Sequence, residues 1–245
     1  MEWFSALEIA ETHIVKIFTP QGSGTGFLAS FQDGGKLCTI ATAAHVIDHA
    51  HLWESPIRIQ HYKSGKTSLI HHGERAIFVD SKKDTALILM NKGDLPLPST
   101  PLNFIAEGRH VKPGAELAWA GFPAVASENL CLFTGCVSAR LKEGAYLIDG
   151  VAINGVSGGP TFFKNDKDIF VVGVISAYIP NRATSTGDVL PGLSLASDVS
   201  QIQKLIKDFN SIDQAKKAES PPVPILGEPK NEPKNQSNTP PPSNG

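Results

Sequence analysis

Gly155-Val156-Ser157-Gly158-Gly159-Pro160 is a serine set between glycines and closed by a proline. A serine hydroxyl is a poor nucleophile at neutral pH. To attack a carbonyl it needs a neighbouring base, and amide donors aimed at the oxygen that becomes negative. Glycines at 155, 158 and 159 open backbone angles closed to residues that carry a Cβ, so the N–H groups of Gly155 and Ser157 can converge on one point. The other reading of these six residues is a tight turn between two strands. What surrounds them bears on the choice.

Two upstream stretches hold the groups that a serine nucleophile lacks. Thr42-Ala43-Ala44-His45 closes a strand-like run over 36–43 and presents an imidazole. The alternative for His45 is a packed histidine at a strand end. His49 and His51 follow it, but a His-x-His pair without a third ligand at fixed spacing does not define a metal site, and none is expected. Asp84 stands before Thr85-Ala86-Leu87-Ile88-Leu89-Met90, an apolar run that reads as a buried strand. A carboxylate at the mouth of such a strand is costly to bury unpaired and calls for a cationic or N–H partner. Asp80 competes for this role, but it lies in a turn with Lys82 and Lys83.

The texture around these residues is β. Strands are expected over 13–18, 22–28, 36–43, 57–60, 67–71 and 76–79, at a spacing of roughly 8 to 12 residues with turn residues between, which argues for a barrel or sandwich. Gly22-Ser23-Gly24-Thr25-Gly26 reads as a close-packed hairpin, since no Gly-Lys-Ser/Thr follows it and no helix opens there. A proline-rich link over 91–101 leads to a second lobe with strands over 116–120, 131–139, 145–149, 169–178 and 193–196. Ser5-Ala6-Leu7-Glu8 fits a capping box, with Phe4 and Ile9 as a hydrophobic staple, and predicts a helix over 6–12. The apolar stripe Val199, Ile202, Leu205, Ile206 and Phe209, with Asp198 and Gln201 as a capping box, predicts a second helix over 198–210. The expected organisation is therefore an N-terminal helix (1–12), a first barrel with His45 and Asp84 (13–95), a second with Ser157 (96–197), a helix (198–210) and a disordered proline-rich tail (215–245). Such a tail cannot bury enough apolar surface to offset its ordering entropy. Val223-Pro224-Ile225-Leu226 is its one apolar cluster through which a protein partner could bind.

Composition removes several classes of function. The 245 residues carry 22 Lys and Arg against 24 Asp and Glu, which leaves no basic excess for nucleic acid. No apolar run approaches the roughly 18 residues of a membrane span. Residues 1–5 show neither the basic nor the apolar region of a secretory signal, so a cytoplasmic location is expected. Cys38, Cys131 and Cys136, odd in number and without ligand spacing, read as free thiols.

Taken together, Thr42-Ala43-Ala44-His45, Asp84-Thr85-Ala86-Leu87 and the serine loop resemble the chymotrypsin-fold serine peptidases in their His, Asp, Ser order. Gly173-Val174-Ile175-Ser176 is similar to that family's substrate-pairing strand, and Pro191-Gly192-Leu193 to the segment that closes its specificity pocket. Asp149-Gly150-Val151-Ala152-Ile153-Asn154 resembles the approach to the nucleophile in the HtrA-type branch. Two departures stand out. Secreted digestive members have Asp immediately before the nucleophile, where this chain has Val156, so activation by N-terminal cleavage is not expected. The branch usually appends a PDZ domain, whereas the proline-rich segment follows here, so oligomeric, chaperone-like behaviour is not implied.

The resemblance implies an all-β protein of two antiparallel barrels that hydrolyses polypeptides without metal or cofactor. Ser157 would attack, His45 would take and return the proton, Asp84 would orient the imidazole, and the N–H groups of Gly155 and Ser157 would hold the oxyanion. The substrate would lie along Ser176, Ala177 and Tyr178, with Val151 at the base of the specificity pocket and Tyr178 and Gly192 as its walls. No carboxylate occupies those positions and Tyr178 fills space, so cleavage after small aliphatic residues is expected. Two alternatives remain: a catalytically weak module that binds a partner through its cleft or tail, and an esterase or acyl transferase, for which the parallel-sheet setting of a nucleophile elbow is lacking.

Overall fold

The computed structural model describes residues 1–182 and 184–219. Among these residues thirteen antiparallel strands form two lobes. The first uses β1 (Ile14–Thr19), β2 (Gly22–Gln32), β3 (Leu37–Thr42), β4 (Ile57–His61), β5 (Thr67–Ile70), β6 (Arg75–Asp80) and β7 (Thr85–Asn91). Their order is β5-β4-β1-β2-β3-β7-β6, so this sheet curls into a half-barrel whose edge strands, β5 and β6, are not paired with each other. The expected first barrel is thus open. Its seam is bridged by Arg75, whose guanidinium donates to the carbonyls of Ile70 at 3.1 Å, Ala50 at 2.9 Å and Ser55 at 2.7 Å. A planar fork with several donors thus ties the end of β5 to the helix residue Ala50 and to Ser55 in the loop before β4.

The second lobe is a closed six-strand barrel, β10-β13-β12-β11-β8-β9, built from β8 (Glu116–Gly121), β9 (Cys131–Arg140), β10 (Ala145–Asp149), β11 (Pro160–Lys164), β12 (Ile169–Arg182) and β13 (Val189–Asp198). Trp119, Tyr146, Ile148, Val156 and Val172 fill its interior. The first lobe has its own core of Ile17, Leu28, Ile40, Ile57, Ile59 and Ile88. A third cluster joins the lobes, with Phe27 and Leu87 from one side meeting Phe122, Phe162 and Val171 from the other.

Helices seal that junction. α1 (Trp3–Ala10) begins earlier than the capping pattern predicts, with Glu2 at its N-cap and no side-chain cap bond. Phe4 and Ile9 are exposed, so the staple does not form, and it is Ala6 and Ala10 that are buried. α2 (Ala44–Leu52) replaces the strand end and loop expected around His45 and His49. α3 (Ser200–Glu219) outruns its expected end at 210 and includes the first residues assigned to the tail. It crosses back to the first lobe, where Phe209 packs edge-on against Phe78 at 4.7 Å. Burial of a side chain the size of Phe209 or Ile202 contributes about 1.5–3 kcal/mol each. The remainder of the expected tail, with residues 223–226, lies outside the described residues.

The three cysteines are free thiols, and burial pushes that of Cys38 up to about 12. Among the described residues no helix is long and apolar enough to cross a membrane, and no group of three His, Cys, Asp or Glu side chains is placed to hold a metal ion.

Candidate active site

His45 is the second residue of α2, immediately after β3, so the helix start aims its ring at the seam between the lobes. Asp84 is the last residue of the turn between β6 and β7 and adopts φ +49°, a left-handed conformation that Asp tolerates better than most residues. That geometry turns its carboxylate onto the helix start. Oδ2 lies 2.8 Å from His45 Nδ1, and Oδ1 accepts the His45 backbone N–H at 3.0 Å. The carboxylate thus meets both the ring and the peptide of the same residue. Its hydrogen bond holds the His45 pKa above the usual histidine value, against a smaller opposing effect of burial and with added support from the charges of Asp84 and Asp48. Asp80, the competing carboxylate, is turned away: its Oδ1 accepts the N–H groups of Lys82 and Lys83 at 3.0 and 3.1 Å.

Ser157 and His45 line one recess of about 260 Å³, together with Gly155, Asn154, Val46 and His49. No hydrogen bond joins Ser157 Oγ to His45 among the described residues. In unliganded hydrolases such bonds are often long and tighten when substrate binds.

The loop beneath Ser157 has a defined polarity. Ile153 C=O accepts from Val156 N–H at 3.0 Å, Asn154 C=O from Ala124 N–H at 2.6 Å, and Gly155 C=O from Thr25 Oγ1 at 2.9 Å. Val156 C=O accepts from Gly159 N–H and Ser157 C=O from Thr25 N–H, both at 2.9 Å. Five successive carbonyls are therefore engaged by protein, while the N–H groups of Gly155 and Ser157 have no protein partner among the described residues. Gly155 (φ +93°) and Gly158 (φ +85°) take left-handed angles, and a Cβ at either would fall 2.3 Å from Phe122 O or 2.1 Å from Thr25 O. Val156 is fully buried in the second-lobe core, so the position held by Asp in secreted members carries no charge here.

The residues expected to read the substrate are placed as follows. Gly192 N–H donates to the Tyr178 hydroxyl at 2.8 Å, which brings the two expected walls together across β12 and β13. Ser194 Oγ donates to Gly150 C=O at 2.7 Å and so ties β13 to the residue before Val151, which is itself half-exposed. Ala177 is exposed. Ser176 is buried at the β12 bulge and shares a second recess, of about 250 Å³, with Asp84, Lys83 and Ser197. None of Val151, Tyr178 and Gly192 lines the recess that holds Ser157 and His45.

Three residues to which the sequence assigns no part at the candidate site contact it or its neighbours. Thr25 and Ala124 hold the serine loop, and Asp198 holds Lys83, the neighbour of Asp84. Their signal is weak because Thr, Ala and a helix-flanking Asp are ordinary residues. Only their partners give them a role.

The chain matches the family model for a trypsin-like peptidase domain over residues 24–174, more than half its length. It belongs to that family and is a serine peptidase on the chymotrypsin-type fold. Among solved structures it is similar to Rv3671c from M. tuberculosis H37Rv, a serine-to-alanine mutant in its inactive form, with TM-score 0.57 and 20% identity over 84% of this chain and 90% of that one. It is also similar to the serine endoprotease from Yersinia pestis, with TM-score 0.61 and 17% identity over 85% of this chain and 66% of that one. At such identities the likeness establishes the fold alone. No curated protein sequence matches the chain.

Proposed function

We propose that the chain is a serine endopeptidase in which Ser157 is the nucleophile, His45 the general base and then acid, and Asp84 the residue that orients and charge-stabilises the imidazole. The observation that carries this reading is the placement of His45. Its Nδ1 is bonded to Asp84 at 2.8 Å, and its ring lines the same recess as Ser157. With Nδ1–H donated to the carboxylate, Nε2 is left as the basic nitrogen. Ser157 Oγ attacks the scissile carbonyl as His45 takes its proton, and the imidazolium then returns that proton to the leaving amine. The N–H groups of Gly155 and Ser157, with the carbonyls of residues 153–157 engaged elsewhere, supply the donors for the oxyanion. The acyl-enzyme is hydrolysed by the same steps with water as nucleophile.

For specificity, the Tyr178–Gly192 contact supports a pocket shortened from one side, with cleavage after Ala, Val or a residue of similar size. A Lys or Arg side chain would lose hydration there without meeting a carboxylate. Labelling by a fluorophosphonate probe, compared between wild type and Ser157→Ala, tests the reading. Wild type should label and hydrolyse peptides and the variant should do neither. Folded wild type that resists the probe would leave the fold serving a binding role.

A further inference from the structure

We propose that Thr25, on the first lobe, is the positioning residue that sets the polarity of the serine loop on the second, with Ala124 as its companion clamp. The proposal rests on the reading of Gly155 and Ser157 as oxyanion donors, and goes beyond it by stating what holds them in place before substrate arrives.

In a planar trans peptide the C=O and N–H point in opposite directions. Whatever holds the Asn154 carbonyl therefore aims the Gly155 N–H. That carbonyl is held by Ala124 N–H at 2.6 Å, on the side of the Phe122–Ala124 segment, which leaves the Gly155 N–H facing the recess. Rotation of this one peptide would exchange donor for acceptor and place an oxygen where negative charge must form. The peptide that carries the Ser157 N–H has its Val156 carbonyl held by Gly159 N–H at 2.9 Å, and Thr25 holds the peptides on either side of it through the Gly155 and Ser157 carbonyls.

The Thr25 hydroxyl has no freedom in this arrangement. It is fully buried, 3.1 Å from Phe122 N and 2.9 Å from Gly155 O. A backbone N–H can only donate, so Thr25 Oγ1 accepts from Phe122 and its single proton is left for the Gly155 carbonyl. Thr25 N–H also holds the Ser157 carbonyl at 2.9 Å, and Thr42 Oγ1 fixes the Thr25 carbonyl at 2.7 Å. One residue of β2 thus grips the loop on both sides of Val156. Because β2 belongs to the other lobe, the donor geometry depends on how the lobes are docked.

The test uses Thr25→Val, which keeps the side-chain shape and removes the hydroxyl, and Thr25→Ser, which restores it. Thr25→Val should lower kcat with a peptide substrate by about 100-fold, the scale of losing an oxyanion donor, while KM moves by less than about 3-fold. Affinity for a peptide boronic acid, which mimics the tetrahedral species, should fall in parallel, and Thr25→Ser should recover most of both. A merely structural role would lower the melting temperature and leave kcat of the folded protein untouched. Folded Thr25→Val with kcat near wild type overturns the proposal. If Thr25→Val does not fold, Ala124→Pro decides. Ala124 opens a 3-10 turn after Pro123, whose ψ of 140° suits a following proline, so the change removes the N–H donor and puts a ring carbon where the Asn154 carbonyl oxygen sits, which must turn away. Undiminished kcat in Ala124→Pro would then overturn the proposal. Should wild type neither label nor turn over, the functional reading fails by itself. The crystal structure of Thr25→Val then judges the positioning role, which stands if the Asn154 or Gly155 carbonyl has turned and falls if the loop is unchanged.

Discussion

Asp198 Oδ1 lies 3.3 Å from Lys83 Nζ, so a buried carboxylate beneath α3 grips the residue immediately before Asp84. Its other oxygen accepts from Arg140 at 3.1 Å, and Ser200, at the start of α3, donates its hydroxyl to Oδ1 at 2.6 Å. Burial pushes the Asp198 carboxyl up, but the Ser200 hydroxyl and N–H together with the Lys83 ammonium outweigh it and hold the carboxyl below its usual range.

Asp198→Asn should therefore destabilise the protein at neutral pH. Lys83 and Arg140 are partly exposed and can rehydrate, so the cost should be about 2 kcal/mol, below that of breaking a fully buried pair. The depressed folded pKa gives the sign. The stabilisation is complete above the unfolded value near 3.9 and is lost as pH falls through the folded value. Thermal melts of wild type and variant should converge in acid. Equal melting temperatures at pH 7 would remove Asp198 as a brace.

The His45–Asp84 pair makes a kinetic prediction. In the proposed mechanism His45 must be neutral to accept the serine proton, and its pKa is raised by Asp84, so the acid limb of kcat/KM should have its midpoint above about 6.5. Asp84→Asn should shift that midpoint downward and reduce kcat by about 10⁴-fold, the scale of this change in a chymotrypsin-type triad. The linkage sign is opposite to that of Asp198: stability from the pair is present below about 6.5 and lost as pH rises through the raised folded value. A flat rate profile from pH 5 to 9 would exclude a histidine base.

If Tyr178 walls the proposed specificity pocket, Tyr178→Gly should enlarge it. Preference between Ala and Phe on the acyl side of the cleaved bond should move toward Phe by at least about 10-fold, since each methylene in such a pocket is worth about 1–3 kcal/mol. Profiling a peptide library with both proteins is the measurement. Wild-type cleavage mainly after Arg, Lys or Phe would refute the pocket assignment.

Lys16 and Glu128 separate a costly substitution from a silent one. Lys16 is buried on β1, and its ammonium donates to Ser127 C=O at 2.6 Å beside the rings of Phe18 and Phe122. Lys16→Met keeps the aliphatic stem and leaves that carbonyl unmet, at about 1–3 kcal/mol. Glu128, 3.4 Å from the same ammonium, is 87% exposed, so Glu128→Ala should change stability by less than about 0.5 kcal/mol. Denaturant melts that rank the two variants the other way would place the anchor in the ion pair.

Most strands could be read from the order of residues, because alternation and turn residues are local signals. No strand is expected at β11, since Pro160 closes the serine loop, yet Pro160 is the first residue of a strand, where no ladder N–H is required. Nothing in Ala43-Ala44-His45 caps a helix, so the sequence points to a strand end and loop where α2 forms. The order His45, Asp84, Ser157 and the glycines around Ser157, on which the proposed triad rests, stand in the sequence itself, because residue type and the backbone freedom of glycine are local properties. What only the tertiary structure decided is how those groups are held. Seven strands leave the first sheet open with Arg75 across its seam, and α3 returns to the first lobe. Thr25 meets Gly155 and Asp198 meets Lys83 across more than a hundred residues of chain. Hydrogen bonds of that kind depend on where two lobes dock, a relation set by packing of the shared core around Phe27, Phe122 and Phe162. No periodicity or motif in the chain encodes it.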